Sequence, residues 1–299
     1  MIGQVYALAA AFFFALSSVC IAKGSTGKGD QGVIFSVLVT LGLSLLVWLV
    51  VDHGQTGAVD TTALWRGIFW FAVAGVFAMV LGRTFIYASV RHLGVTRAAA
   101  LKKATPFFSA LLAFVLLGEL LTGSDLWGML LIGLAFVLLS RRSFQKLTPE
   151  QQANTPAPID YTWGVAASFS YAMSFITRKY GLVYIVSPGF ATFISALAGL
   201  VFFFVMSFFS VRYRQNVRNL FSNLNPWLIA AAVAVSLGQI CIFAALTTES
   251  VAIVAILSSL EVFIASFLSV VIFKSEKRPD GLTYLAAVIA FSGAALISL

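Results

Sequence analysis

Long apolar runs separated by short polar breaks organise this chain. A membrane-crossing helix needs about 20 mostly apolar residues at about 1.5 Å per residue. Ten segments meet that requirement, numbered spans 1 to 10: 2–22, 32–51, 65–89, 95–117, 125–140, 160–180, 188–210, 226–247, 250–273 and 280–298. Polar or glycine-rich breaks such as GSTGKGD (24–30) and DHGQTGAVD (52–60) part them. The longest break, Arg141 to Ile159, carries prolines at 149, 156 and 158. The pattern predicts an all-α membrane protein.

The second half repeats the first at an offset of 156 residues. Phe13 returns as Phe169, Lys23 as Lys179, Gly82 as Gly238, Ala88 as Ala244, Val95 as Val251, Leu101 as Leu257, Phe107 as Phe263 and Leu112 as Leu268. Five spans per half is an odd number, so the two copies cross the membrane in opposite senses. Such inverted repeats are the mark of secondary transporters, whose halves exchange the side to which they open. The expected organisation is a first repeat at 1–140 (spans 1–5), a linker at 141–159 and a second repeat at 160–299 (spans 6–10), enclosing a central cavity.

Composition agrees: 60% of residues are hydrophobic, 10% are charged and the mean hydropathy is +0.98, whereas about a quarter of a soluble domain is charged. The net charge of +8 does not indicate nucleic acid, because the Lys and Arg residues fall mostly between apolar runs. Odd-numbered connections hold thirteen of them: Lys23, Lys28, Arg91, Arg97, Arg141, Arg142, Lys146, Arg212, Arg214, Arg218, Lys274, Lys277 and Arg278. Even-numbered connections hold only Arg66, Arg178 and Lys179, the last two read as ending span 6 at the membrane surface. The positive-inside rule then puts odd connections in the cytoplasm and both termini on the periplasmic side of the inner (plasma) membrane. The first apolar run reads as a retained helix and not a signal peptide. Cys20 and Cys241 read as buried free thiols, and His53 and His92 lie in separate connections. No metal site or cofactor is expected. Trp65, Trp127, Trp163 and Trp227 stand near span starts as interfacial anchors. Ala286, Ala290 and Ala294 form a small-residue stripe that reads as intramolecular packing.

Two pieces, ALSSVCIAK (15–23) and YAMSFITRK (171–179), each show an early helix ending on a basic residue. Two others, LKKATPFFSALLAFVLLGE (101–119) and SSLEVFIASFLSVVIFKSE (258–276), run from a polar start to a closing Glu, with Pro106 in the first and Val262 in the second. With these pieces the whole chain resembles the drug/metabolite transporter superfamily, in its ten-helix form with two EamA-type domains, and within it the YddG-type amino-acid exporters. The resemblance implies export or exchange of small metabolites through a cavity walled by spans 1–4 and 6–9, with spans 5 and 10 peripheral. Two departures stand out: many members have cytoplasmic termini, and the tryptophan often found midway along the first helix of each domain is replaced by Phe14 and Ser170.

Independently of the resemblance, ionisable groups inside apolar spans mark the substrate path, since each costs several kcal/mol unless paired or wetted. Arg83, Lys102, Lys103 and Glu261 stand out. Arg83 and Lys103 lie about 9 and about 12 Å from one interface, and Glu261 about 18 Å from it. The repeat offset relates Arg83 to Gln239, Lys103 to Ser259 and Thr105 to Glu261, as expected of two halves lining one cavity. The functional reading sets a zwitterion's carboxylate against Arg83 or Lys103 and its ammonium against Glu261. Tyr87 and Tyr171 would add aromatic walls, and Ser170, Ser174, Gln239 and Ser258 polar lining. The competing reading makes Glu261 one end of a standing salt bridge with a cation. Lys102 is expected to snorkel to the interface. Gly75, Gly82, Gly238 and Pro106 are candidate flex points. The function expected is export of amino acids, aromatic and other neutral ones, or related small metabolites by alternating access. The alternative is transport of anionic metabolites on Arg83 and Lys103. Single, unlike charges disfavour an ion channel, and the absence of a nucleophile with a base at bilayer depth disfavours an enzyme. Glu261, the sole acid deep in a span, is the candidate proton-coupling site. Held in an ion pair it would not load a proton, and flux down the substrate's own gradient is the other reading.

Overall fold

The structure, a computed structural model, describes residues 2–24, 33–53, 60–93, 95–145, 157–221, 224–273 and 281–297. Among the described residues it is helical with no strand. Among the described residues eight helices are long and apolar enough to cross a membrane: Ile2–Gly24, Val33–Asp52, Thr61–Val90, Arg97–Leu117, Gly123–Arg141, Pro188–Phe209, Pro226–Thr248 and Val251–Ile272. The other two expected spans are helices as well, Tyr161–Tyr184 for span 6 and the shorter Gly281–Ile297 for span 10. Local chemistry fixes several starts. Ser187 and Asn225 precede Pro188 and Pro226, and their side chains accept from the amides of Phe190 and Leu228, which supplies an N-cap ahead of a proline that needs no partner. Ser250 caps span 9 through the Ile253 amide. A polar helix, Val211–Arg218, follows span 7; its charge density hid it from a search for apolar runs. Most of the expected linker, residues 146–156, lies outside the described residues.

The halves interlock. Span 1 packs along span 8, span 3 along span 6, and span 2 against spans 7 and 8, while spans 5 and 10 pack on each other. The alanine stripe is buried within the molecule, Ala286 and Ala290 at 0% exposure. Beside it, a Cβ on Gly128 would come within 2.6 Å of the Gly293 carbonyl oxygen, and one on Gly293 within 2.7 Å of the Gly128 oxygen. Only glycine lets these two backbones meet so closely.

Spans 4 and 9 are broken at repeat-equivalent positions. Span 4 runs as Val95–Lys102 and Thr105–Leu112, and span 9 as Val251–Ser258 and Glu261–Phe267. The intervening Lys103 and Ala104 become Ser259 and Leu260 at the same offset of 156. In span 4 the cause is Pro106, which has no amide to give the Lys102 carbonyl; the Thr105 hydroxyl donates to that oxygen instead at 2.7 Å. Span 9 has Val262 there, and its break coincides with Ser258 and Ser259 bonding back to the Ala255 and Ile256 carbonyls at 3.1 and 2.5 Å. Local bonds of this kind compete with the helix ladder.

On the side of the even-numbered connections the molecule is closed. Phe71, Phe243, Ile185 and Leu246 are buried to within 1% of complete, and the rings of Phe71 and Phe243 meet edge to face at 5.8 Å. Charged side chains cap helix ends around this plug. Asp52 accepts from the Ser187 hydroxyl (3.1 Å) and the Gly189 amide (2.6 Å) at the start of span 7. Glu119 accepts from the Val251 amide at 2.8 Å at the start of span 9. Lys179 donates to the carbonyls of Leu246 and Glu249, both at 2.8 Å, at the end of span 8. Each sign suits its helix end.

Candidate functional site

Above the plug, a cavity of about 600 Å³ opens toward the odd-numbered connections. Its mouth is exposed at Ser18, Ile21, Ala99 and Lys102, and its floor is the buried Arg178 and Ile242. Both halves line it: Phe14 and Ser17 from span 1, Arg83 from span 3, Lys103 from the break in span 4, Tyr171 and Ser174 from span 6, Gln239 from span 8, and Ser258, Ser259 and Glu261 around the break in span 9. Broken spans turn half-helix ends toward a cavity, where irregular backbone is tolerated in a membrane.

Of the residues expected from the sequence, Arg83, Lys103, Tyr171, Ser174, Gln239, Ser258 and Glu261 all face this cavity. The Tyr87 side chain lies outside the described residues. Ser170 is buried, bonded to the Ala166 carbonyl of its own helix at 2.8 Å, and does not line the cavity. Gly82 and Gly238 each seat an aromatic ring from the opposite half. A Cβ there would stand 2.9 Å from the Tyr171 ring and 2.7 Å from the Phe14 ring respectively. Their place in the cavity wall is thus one of close packing.

Three expectations are corrected. Lys102 does not snorkel away: its Nζ lies 3.5 Å from Glu261 Oε1 and 5.5 Å from the centre of the Tyr171 ring. The carboxylate's partner is thus Lys102, whereas Arg83 donates weakly to the Val33 carbonyl at 3.4 Å and Lys103 sits 5.9 Å from the Phe136 ring centre. Arg178 and Lys179 do not end span 6 at the surface, because the helix continues to Tyr184. Arg178, only 3% exposed, donates through Nη2 to Gln239 Oε1 at 2.8 Å. Its register was the overlooked signal: it lies four residues after Ser174 and seven after Tyr171, on the face those residues already assigned to the cavity.

The described residues hold no group of His, Cys, Asp or Glu arranged for a metal. Cys20 is buried and Cys241 partly buried, both as free thiols.

The model of the EamA-like transporter family matches residues 1–141 and again 159–299. A solved structure titled "Crystal structure of protein" superposes with a TM-score of 0.72 at 12% identity, covering 98% of this chain and 95% of the other. At that identity the likeness speaks for the fold alone. None of the curated proteins matches the chain.

Proposed function

We propose, because the chain belongs to the EamA-like transporter family, that its cavity carries amino acids or related small metabolites across the inner membrane by alternating access. The family makes it a membrane transporter of the drug/metabolite type; the substrate and the mechanism are our reading. The observation that carries it is the cavity itself, walled by both halves, polar at its centre, open on one side and plugged with aromatic rings on the other. A volume of about 600 Å³ lies within the range typical of small-molecule sites. The two repeats, 1–140 and 160–299, would rock about this site, with the breaks in spans 4 and 9 as the points that yield.

Orientation follows from charge. With Arg178 and Lys179 inside span 6 and Arg66 near the start of the span 3 helix, the even connections 53–60, 118–122, 185–187 and 249–250 contain no Lys or Arg. This supports cytoplasmic odd connections and periplasmic termini, and the open mouth then faces the cytoplasm, as export requires for loading. Since Glu261 faces Lys102, we read flux as driven by the substrate's own gradient, with proton exchange as the alternative.

A second reading has its own support. Arg83, Lys102, Lys103 and Arg178 set four cations in the cavity against one carboxylate, Glu261, and Lys102 offsets the repulsion that Glu261 would exert on an anion. Anionic metabolites therefore suit the site too. Uptake of labelled amino acids and organic acids into liposomes holding the purified chain, with and without a pH gradient, tests both. Saturable amino-acid flux, cut by Glu261→Gln, is the expected result. Flux of organic acids alone favours the second reading, and pH dependence favours proton exchange. No flux for any of them beside a working control refutes the proposal.

A further inference from the structure

The geometry points to Arg178 as the oxyanion subsite of this cavity: a substrate enters with its carboxylate or phosphate end foremost and docks on the Arg178 guanidinium, steadied by Gln239. The inference deepens the transporter reading and rests on the cavity being the substrate path.

Arg178 sits at the closed end of the cavity and is 97% buried, at 3% exposure. Its charge has no partner: among the described residues no carboxylate lies within ion-pair distance of it, and the cavity's acid, Glu261, is engaged by Lys102. Nη2 is used by Gln239, but Nε is buried with no acceptor at all. A guanidinium carries five N–H donors, and a buried charge left in this condition is costly. The cation instead lies over aromatic rings. Its central carbon lies 4.8 Å from the centre of Phe243 and 5.7 Å from that of Phe175.

Contacts with ring faces fix the guanidinium plane while leaving its N–H edge free for planar, two-pronged bonding to an oxyanion. The Gln239 carbonyl oxygen accepts from Arg178, which leaves its amide N–H groups as donors to offer the same ligand. Phe243 is also part of the plug, edge to face with Phe71. An oxyanion neutralising Arg178 therefore acts at the boundary between the cavity and the gate.

Thermal unfolding of the purified full chain in detergent tests this, in wild type, Arg178→Met and Arg178→Lys. Without ligand, Arg178→Met should unfold at a temperature higher by about 2 °C or more, a shift of the size a modest stability gain produces, because an unpaired buried charge is removed. A lower temperature would mean that Arg178 serves the scaffold, and would overturn the inference. With ligand, the probes are leucine against leucinamide, citrate against its triamide, and glucose 6-phosphate against glucose. The oxyanion member of at least one pair should raise the unfolding temperature of wild type while its counterpart lacking the oxyanion does not. That rise should vanish in Arg178→Met and persist in part in Arg178→Lys. Equal shifts within every pair, or shifts that survive Arg178→Met, overturn it. If no probe shifts the wild type, the ligand-free sign decides. Which pair responds distinguishes amino acid, organic acid and phosphate. Absent flux with both unfolding results intact would fault the transport reading and leave the subsite standing.

Discussion

At the scale of single residues, the charges inside the membrane could be found from the sequence but their pairing could not. Glu261, Lys103 and Arg83 are visible because each interrupts an apolar run. That Glu261 chooses Lys102 over Lys103 depends on where the helix of span 4 breaks: Lys102 is its last helical residue, and Lys103 lies in the turn. Arg178 is misplaced by the sequence for a related reason, since hydropathy falls at the Arg178-Lys179 pair and the expected span ends at 180, four residues before the helix ends at Tyr184. The Lys102–Glu261 pair, at 3.5 Å with side chains 45% and 25% exposed, is wet enough that its worth lies in positioning the cavity wall more than in stability. Groups that act as a unit are not additive. Lys102→Gln and Glu261→Gln should each reduce saturable flux by roughly fivefold or more, and the double variant should be no worse than the poorer single one. Initial rates in liposomes measure this; losses that multiply in the double variant would show that the two residues act separately.

Among the elements, the caps on the even side were illegible because each joins segments far apart in the chain. Asp52 reaches span 7 and Glu119 reaches span 9, across more than 130 residues in each case. Sequence showed Glu119 only as the Glu closing an apolar run; its counterpart Glu276 lies outside the described residues. Burial pushes the Glu119 carboxyl above its ordinary value, against the opposing pull of the Val251 amide and the Lys179 ammonium. Glu249, at the end of span 8, is the other charged group of this corner, through its carbonyl bond to Lys179. The sign follows from linkage. The closed form binds the Glu119 proton more tightly than a form in which the carboxyl meets water. Protonation at low pH therefore favours closure, and that preference is lost as pH rises from the ordinary glutamate range through the raised value. Labelling of Leu246→Cys, introduced into a chain with Cys20 and Cys241 replaced by Ser, reads the closure. The labelling rate in this chain relative to the same chain with Glu119→Gln should fall as the medium is acidified from neutral pH, the ratio cancelling the thiol's own titration. A ratio independent of pH would detach Glu119 from the gate.

For the whole molecule, the long apolar runs and the 156-residue offset already contained the two repeated halves, because spacing of spans is a local property that survives in the sequence. They did not contain the side on which the cavity stands open, which depends on how the halves tilt against each other. The structure combines an exposed mouth at Ser18 and Ile21 with a plug at Phe71, Phe243 and Leu246, so one side of the membrane should reach the site and the other should not. On the proposed orientation, with the Lys- and Arg-rich odd connections in the cytoplasm, the open side is the cytoplasmic one. Ser18→Cys, in the same background lacking Cys20 and Cys241, should react with a membrane-impermeant thiol reagent in inside-out vesicles and stay unreacted in intact cells. Leu246→Cys, 0% exposed at present, should remain slow from both sides until a substrate that drives the opposite state is added, and should then react from the outside. Labelling of Ser18→Cys from the outside alone would reverse the orientation while keeping the fold, because an inverted repeat is compatible with either topology and only the distribution of Lys and Arg separates them.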